Sequence, residues 1–311
     1  MTVFVAGSAN LDFVLRVPHC PAPGETVLGH SLATFAGGKG ANQAVAAARS
    51  GAAPTQMLLA LGNDAHAVPI EASLREAGVV LHIKRSADLP TGTAFIGLAD
   101  TAENSIIVAP GANASLGAAD LPPMLGVSHL LLQLETPQAT VAAFAQQARA
   151  AGTAVVLNAA PAQALPPALL RDVDVLVVNE GELASVVGRQ GRVVDLLGHI
   201  GVPTVIVTLG ARGCCASSHG RVMLQPAFAV ATVDTTAAGD TFCGALVAAL
   251  SQGEMLPAAL RRASAAAALA CTRLGAQASM PQRAEVDALL QRAPADTSQT
   301  LADLAAYTGF N

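Results

Sequence analysis

The sequence predicts an α/β fold, a doubly wound and mainly parallel sheet with helices on both faces plus a small β-sheet lid. Three observations carry that prediction. Short runs rich in Val, Leu and Ile alternate with longer Ala-rich stretches, the order expected of strands and crossover helices. The short runs are apolar at nearly every position rather than at every second one, as strands must be when neither face meets water. Two stretches, 12–34 and 92–108, break this rhythm and alternate like half-exposed antiparallel strands.

In chain order, the apolar segment 1–17 reads as a first strand centred on 3–6. It lacks a basic leading region, contains Asp12 and shows no small-residue cleavage pattern, so no signal peptide is expected. Segment 12–34, with a turn at 21–24, is the first piece of the lid, because Pro and Gly punctuate it. A helix over 42–49 and a strand over 56–60 follow, and 92–108, turning at 100–104, is the second lid piece. Further strands are expected at 130–133, 154–157, 175–178 and 204–208. Helices fall at 137–151, with Gly152 as a C-terminal stop, and at 239–250 and 257–273. In the tail, 293–311, Thr297, Ser298, Leu301, Leu304 and Tyr307 are spaced as a short terminal helix to which the sequence assigns no function. No repeat and no linker divides the chain, so residues 1–311 are expected to form one domain.

Composition excludes several classes of function. A net charge of -5 with no basic run leaves no footprint for nucleic acid or anionic lipid. Aromatics at 3% with no Trp cannot build a base-stacking platform. The most apolar long stretch, 258–270, contains Arg261 and Arg262 and falls short of the roughly 20 residues of a membrane span. Five cysteines without a C-x-x-C pair give no disulfide framework, which fits a reducing cytoplasm. No His/Cys spacing suits a structural zinc site.

The strongest chemical signal is Asp234-Thr-Thr-Ala-Ala-Gly-Asp240, just before an apolar helix. Small residues let the backbone approach a ligand, and the free N–H groups of a first helical turn attract an anion. Asp240 would then stand beside a bound phosphoryl group, able to accept a hydroxyl proton. From spacing alone, Asp240 serves equally well as a helix cap. A second segment, Gly37-Gly-Lys-Gly-Ala-Asn42, also runs into a helix. It meets neither the P-loop nor the dinucleotide pattern, since Gly40 follows Gly-Lys and Gln43 occupies the last glycine position. It suits hydrogen bonding to a polyol, or simply a glycine turn.

Together with Gly7-Ser-Ala-Asn-Leu-Asp12, Pro23-Gly-Glu-Thr, Gly111-Ala-Asn, Leu132-Gln-Leu-Glu135, Asn179-Glu-Gly-Glu182 and Thr208-Leu-Gly-Ala-Arg-Gly213, these motifs resemble the ribokinase-like, phosphofructokinase-B-type carbohydrate kinases from Val3 to Pro281. The resemblance implies a β lid that often builds a homodimer, ATP and a sugar as small-molecule partners, Mg²⁺, and K⁺ as activator. It implies Asn10, Asp12, Gly38, Lys39, Asn42 and Glu135 as sugar ligands. Asp240 is the implied base, with the Ala237, Ala238 and Gly239 turn as anion hole. Asn179 and Glu182 match its N-x-x-E element, which organises Mg²⁺ through water. Thr208, Gly210, Ala211 and Gly213 would line the nucleotide. Ser264 falls where the pattern often has His near the adenine. Asp234, Thr236, Ala270, Arg273, Gly275 and Ser279 occupy the positions of a monovalent-cation site.

The acceptor implied is a pentose hydroxymethyl, ribose first. Deoxyribose, a ketose, a keto-deoxy sugar acid or a nucleoside are the alternatives, the last disfavoured by the shortage of rings. A non-catalytic sugar sensor would be marked by loss of the base, the anion turn or the Mg²⁺ element, and all three are present. An NAD enzyme fails at the fingerprint.

Overall fold

The computed structural model describes residues 1–99, 101, 104–293 and 296–310. Strand β1 (Thr2–Ala6) leads through Gly7–Ala9 into β2 (Asn10–Val17), so the apolar N-terminal segment holds two strands in two different sheets. Then come β3 (Ser31–Gly37), α1 (Lys39–Arg49), β4 (Thr55–Gly62), α2 (Ala67–Glu76), β5 (Val80–Ser86), β6 (Gly92–Ala99) and β7 (Asn104–Ala109). The middle of the chain carries β8 (Val127–Leu132), α3 (Gln138–Ala150), β9 (Ala154–Asn158), α4 (Pro167–Arg171), β10 (Val175–Asn179), α5 (Glu180–Val187) and α6 (Val193–Leu197). It closes with β11 (Thr204–Thr208), β12 (Gly213–Ser218), β13 (Arg221–Pro226), α7 (Ala238–Ser251), α8 (Leu256–Ala270), α9 (Arg283–Arg292) and α10 (Ser298–Thr308).

The large sheet runs β13-β12-β11-β10-β9-β8-β1-β4-β5 and is parallel except at its β11-β12-β13 end. Its inner strands are buried on both faces, and alternate residues face opposite helix layers. Val3, Val5, Met57, Leu59 and Leu131 pack with α1, α2, α7, α8 and α9. Phe4, Ala6, Leu58, Leu130 and Leu132 pack with α3 to α6 and α10. Each fully buried Leu, Ile or Phe of these layers contributes about 1.5–3 kcal/mol over its exposed state.

The two rhythm-breaking segments form one small sheet, β3-β2-β6-β7. The expectation of antiparallel pairing holds for β2-β3 and β6-β7 but not for β2-β6, which are parallel over Asn10–Val17 and Gly92–Ala99. Those strands come from segments a long crossover apart, which permits parallel pairing. A turn does bond Glu25 N–H to the Ala22 carbonyl; of the turn expected at 100–104, Asp100, Ala102 and Glu103 lie outside the described residues.

Two helix ends differ from expectation. Helix α1 begins at Lys39, three residues early, because Gly38 takes φ 89° and turns the chain directly into it. Helix α8 stops at Ala270, since the Cys271 carbonyl accepts the N–H groups of Val233 and Asp234. Among the described residues no helix is long and apolar enough to cross a membrane.

Candidate active site

In the large sheet β1 lies between β8 and β4; the chain first builds outward to β5 and then returns to the opposite side of β1. Such a reversal opens a crevice at the strands' carboxyl ends, where ligands bind in open α/β sheets. Gly7–Asn10, Gln133–Glu135, Asn158, Asn179 and Thr208 all follow or finish strands at that edge.

One half of the crevice is a carboxylate cluster at the root of the small sheet. A side chain at Gly37 would displace the Asp12 carboxylate, since a Cβ there would overlap its Oδ2. Gly38 needs both its positive φ and its bareness, since a Cβ would lie 2.8 Å from the Asn10 nitrogen. Asn10 is fixed by Asn113, whose Nδ2 donates to Asn10 Oδ1 at 2.8 Å and whose Oδ1 accepts the Ala9 N–H at 3.0 Å. Glu135 Oε2 accepts the Ser8 hydroxyl at 2.6 Å and the Lys39 backbone N–H at 3.0 Å. Burial, then the charges of Glu135 and Asp240, raise the Asp12 carboxyl from 3.8 to about 7.

The other half is the start of α7. Ala237 takes a left-handed conformation, φ 58°, and its carbonyl accepts the Thr241 N–H at 2.8 Å, the first bond of the helix. Ala238 donates its N–H back to the Thr235 carbonyl at 3.2 Å. The N–H groups of Gly239 and Asp240 are then the open donors of this turn among the described residues. Asp240 is only 8% exposed. Its two carboxylate oxygens are held from α1: Asn42 Nδ2 donates to Oδ2 and Gln43 Nε2 to Oδ1, each at 3.0 Å. Behind them, Gln133 Nε2 donates to Gln43 Oε1 at 2.7 Å, and Gln277 Nε2 to Asn42 Oδ1 at 3.2 Å. Burial raises the Asp240 pKa, opposed by the Lys39 charge and the Asn42 and Gln43 donors. Burial alone would lower Lys39, yet the carboxylates of Asp240, Glu135 and Glu182 leave its pKa raised.

Two adjoining cavities open on this turn. A polar one of 190 Å³ is lined by Lys39, Asn158, Asn179, Glu182, Gly239 and Asp240. Asn179 and Glu182 form a reciprocal cap on α5: Asn179 Oδ1 accepts the Glu182 N–H and Glu182 Oε2 the Asn179 N–H, both at 2.8 Å. That leaves Glu182 Oε1 and the Asn179 amide for the cavity. Burial raises Glu182, partly offset by the Asn179 N–H and Lys39. The second cavity, 340 Å³ and largely apolar, is bounded by Thr208, Gly210, Ala211, Gly213, Phe228 and Ser264. Ser264 Oγ lies 3.8 Å from Cys214 Sγ at its floor.

Beside the turn, Asp234 ties two segments together. Its Oδ1 accepts the Thr236 N–H at 2.9 Å and hydroxyl at 2.6 Å, while its Oδ2 accepts the Gly275 N–H at 2.9 Å. Burial works to raise this carboxyl, but those donors hold it below the usual range. Ala270 is buried at the end of α8, Arg273 pairs with Glu285 on α9, and the Ser279 hydroxyl donates to the Ala276 carbonyl.

The pfkB family carbohydrate kinase pattern matches residues 2–283 of the chain. The chain belongs to that family. A ribokinase from Haemophilus influenzae is 39% identical over 304 residues, covering 94% of this chain and 99% of its own. Among solved structures, a Thermotoga maritima ribokinase superposes with a TM-score of 0.85 at 37% identity, covering 94% of this chain and all of that one. Arabidopsis thaliana ribokinase, solved in complex with ribose and ATP, gives 0.85 at 33%, covering 94% and 99%.

For a pfkB family carbohydrate kinase, the crevice gathers the sequence-derived candidates into neighbouring groups. Asn10, Asp12, Gly38, Lys39, Asn42 and Glu135 meet Asp240 through the α1 segment, while Asn179 and Glu182 face the same polar cavity as Lys39. The Asp234, Thr236 and Gly275 trio is joined directly, but the Arg273 side chain turns outward to Glu285. Ser8, Gln43, Asn113 and Asn158 were not singled out by sequence reasoning. Their only signal was membership in the Gly7-Ser, Asn-Gln43 and Gly111-Ala-Asn motifs, and for Asn158 a strand end beside the crevice.

Proposed function

We propose that this pfkB family member is an ATP-dependent kinase that phosphorylates the terminal hydroxymethyl of a pentose, D-ribose to ribose 5-phosphate, with Asp240 as general base. One observation carries the reading: the Asp240 carboxylate, clamped by Asn42 and Gln43, stands in the same helical turn as open backbone N–H donors. A hydroxyl arriving from the Asp12 and Glu135 side and a phosphate arriving from the nucleotide side meet at that turn. The similar proteins named above are ribokinases, and the Arabidopsis one holds ribose and ATP.

On this reading Asn10, Asp12, Gly38, Lys39, Asn42 and Glu135 hold the sugar hydroxyls; a site so built rejects analogues lacking them. Asp240 takes the proton of the hydroxymethyl oxygen as that oxygen attacks the γ-phosphorus in line, and the bond to the bridging oxygen of ADP breaks. The Gly239 and Asp240 N–H groups receive the developing negative charge, with Ala237 setting the turn. Ala238 joins them only by giving up its bond to Thr235. Thr208, Gly210, Ala211 and Gly213 line the phosphates and ribose of ATP, and the apolar cavity down to Ser264 takes the adenine.

Glu182 has one oxygen free for the polar cavity, which fits a Mg²⁺ ion that keeps several waters and borrows phosphate oxygens. Asn179 and Glu182 would hold it through water, and bound Mg²⁺ supplies charge neutralisation to the phosphates. The anionic Asp234 and the joined 234–236 and 270–279 segments suit K⁺, with Asp234, Thr236, Ala270, Arg273, Gly275 and Ser279 as ligands, mostly by carbonyl oxygens. The small sheet acts as a lid that keeps water from the transferring phosphate. Its exposed apolar residues, Leu32, Phe95, Ile106 and Ile107 among them, suit pairing of two copies.

The test is ADP release over a panel of sugars and nucleosides, with and without K⁺. Ribose-dependent release that Asp240→Asn cuts by about 10³-fold, with ribose binding retained, is expected. Release driven by nucleosides alone overturns the acceptor, and near-normal kcat in the variant overturns the base.

A further inference from the structure

Helix α10 lies wholly beyond the family match, which ends at residue 283, yet it is firmly seated. Thr297 caps its start by accepting the Thr300 N–H at 3.1 Å, Leu304 is buried in the layer that contains α5 and α6, and Thr308 is fully buried. Phe310 packs on the same layer just past its end. This seating delivers Tyr307 to a place between two elements of the site. Its hydroxyl donates to Glu180 Oε1 at 2.8 Å, and the Arg212 guanidinium lies 4.0 Å over its ring. Glu180 opens α5 next to Asn179 and shares its first turn with Glu182. Arg212 belongs to the short turn Gly210–Arg212 that edges the large apolar cavity. The hydrogen bond to Glu180 raises the Tyr307 pKa above its ordinary value.

We infer that Tyr307 is a positioning residue for the nucleotide: by bridging Glu180 and Arg212, α10 holds the 208–213 turn and the start of α5 at a fixed separation across the triphosphate. This rests on the reading above that the nucleotide lies against those two segments. A cation over an aromatic face and a hydrogen bond to a charged group both favour this bridged arrangement. The bridge spans only nucleotide-side elements, so its loss touches ATP and not the sugar.

The experiment uses the full chain with Tyr307→Phe, which keeps the ring and drops the hydroxyl, and Tyr307→Leu, which drops both. Each is measured for KM of ATP, KM of ribose, kcat, ADP affinity by calorimetry and melting temperature. The expected result is a rise in ATP KM and ADP Kd of about threefold for Phe and tenfold for Leu, with ribose KM and kcat within twofold of the parent. Glu180→Gln should add little to Tyr307→Leu if the two share one bridge. Unchanged ATP KM and ADP Kd, with or without a lower melting temperature, overturn the inference; so does an equal loss for both substrates. If the parent chain itself binds no ADP, it is the nucleotide reading that fails, and the two failures are told apart.

Discussion

On folding, Asp12 gives up water and comes to face Glu135 and Asp240, and its carboxyl moves from 3.8 to about 7. Between those values the folded chain binds a proton that the unfolded chain releases. Stability therefore falls as pH rises from about 4 to about 7, and the full cost, a few kcal/mol, is present above 7. Asp12→Asn is expected to raise the melting temperature at pH 8 and to make no difference below pH 4, as thermal scans at both values would show. The same substitution should weaken sugar binding, and in the parent chain kcat/KM for sugar should fall below pH 7 as Asp12 takes up its proton. Gln43 works in the opposite direction on Asp240, donating to the charged form and lowering its pKa. Gln43→Ala should shift the acid limb of the kcat profile to higher pH; a profile that keeps its position while kcat falls would show that the contact is merely structural. Asp240 could be singled out from the sequence as a carboxylate in a small-residue turn before an apolar helix, and Asp12 through the family resemblance. Gln43 and Asn158 could not, because a buried amide carries no sequence mark until the fold shows what it faces.

Helix α5 illustrates an element whose two duties share the same atoms. The Asn179 and Glu182 side chains close a reciprocal cap on the helix and also line the polar cavity. Asn179→Ala is expected to cost about 1 kcal/mol of stability through the lost cap, seen as a lower denaturant midpoint. Asn179→Asp keeps the acceptor and should hold that midpoint. Strands β1, β4 and β8 to β11 of the large sheet were legible in advance because burial on both faces makes them uniformly apolar, whereas β5, β12 and β13, toward its two ends, carry polar residues and were not. The boundaries that were misjudged, at Lys39 and Ala270, are set by Gly38's backbone and by bonds from Val233 and Asp234 to Cys271, which no local periodicity encodes. The parallel β2-β6 pairing was equally hidden, since strand direction across a long crossover depends on the whole path.

At the scale of the molecule, the small sheet exposes Ile107 at 69% and Ile106 at 54% on its last strand. If two copies pair there, Ile107→Glu should convert a dimer to a monomer in sedimentation without unfolding it, and a parent chain that sediments as a monomer would refute the pairing. The doubly wound class was readable from alternating run lengths and the second small sheet from two segments that break that rhythm, whereas the seating of α10 against Glu180 and Arg212 was not, its sequence being an ordinary amphipathic stretch. The bond from Asn42 to Asp240 joins residues 198 positions apart, and Asp12 faces the same carboxylate. On the proposed reading, a chain emerging from the ribosome thus carries its sugar-side residues long before its base and phosphate turn are synthesised. Such long-range closure is slow to form, and because α7 packs in the same core as β1 and α1, a product terminated before α7 lacks both the proposed base and part of the packing that supports the N-terminal half of the site.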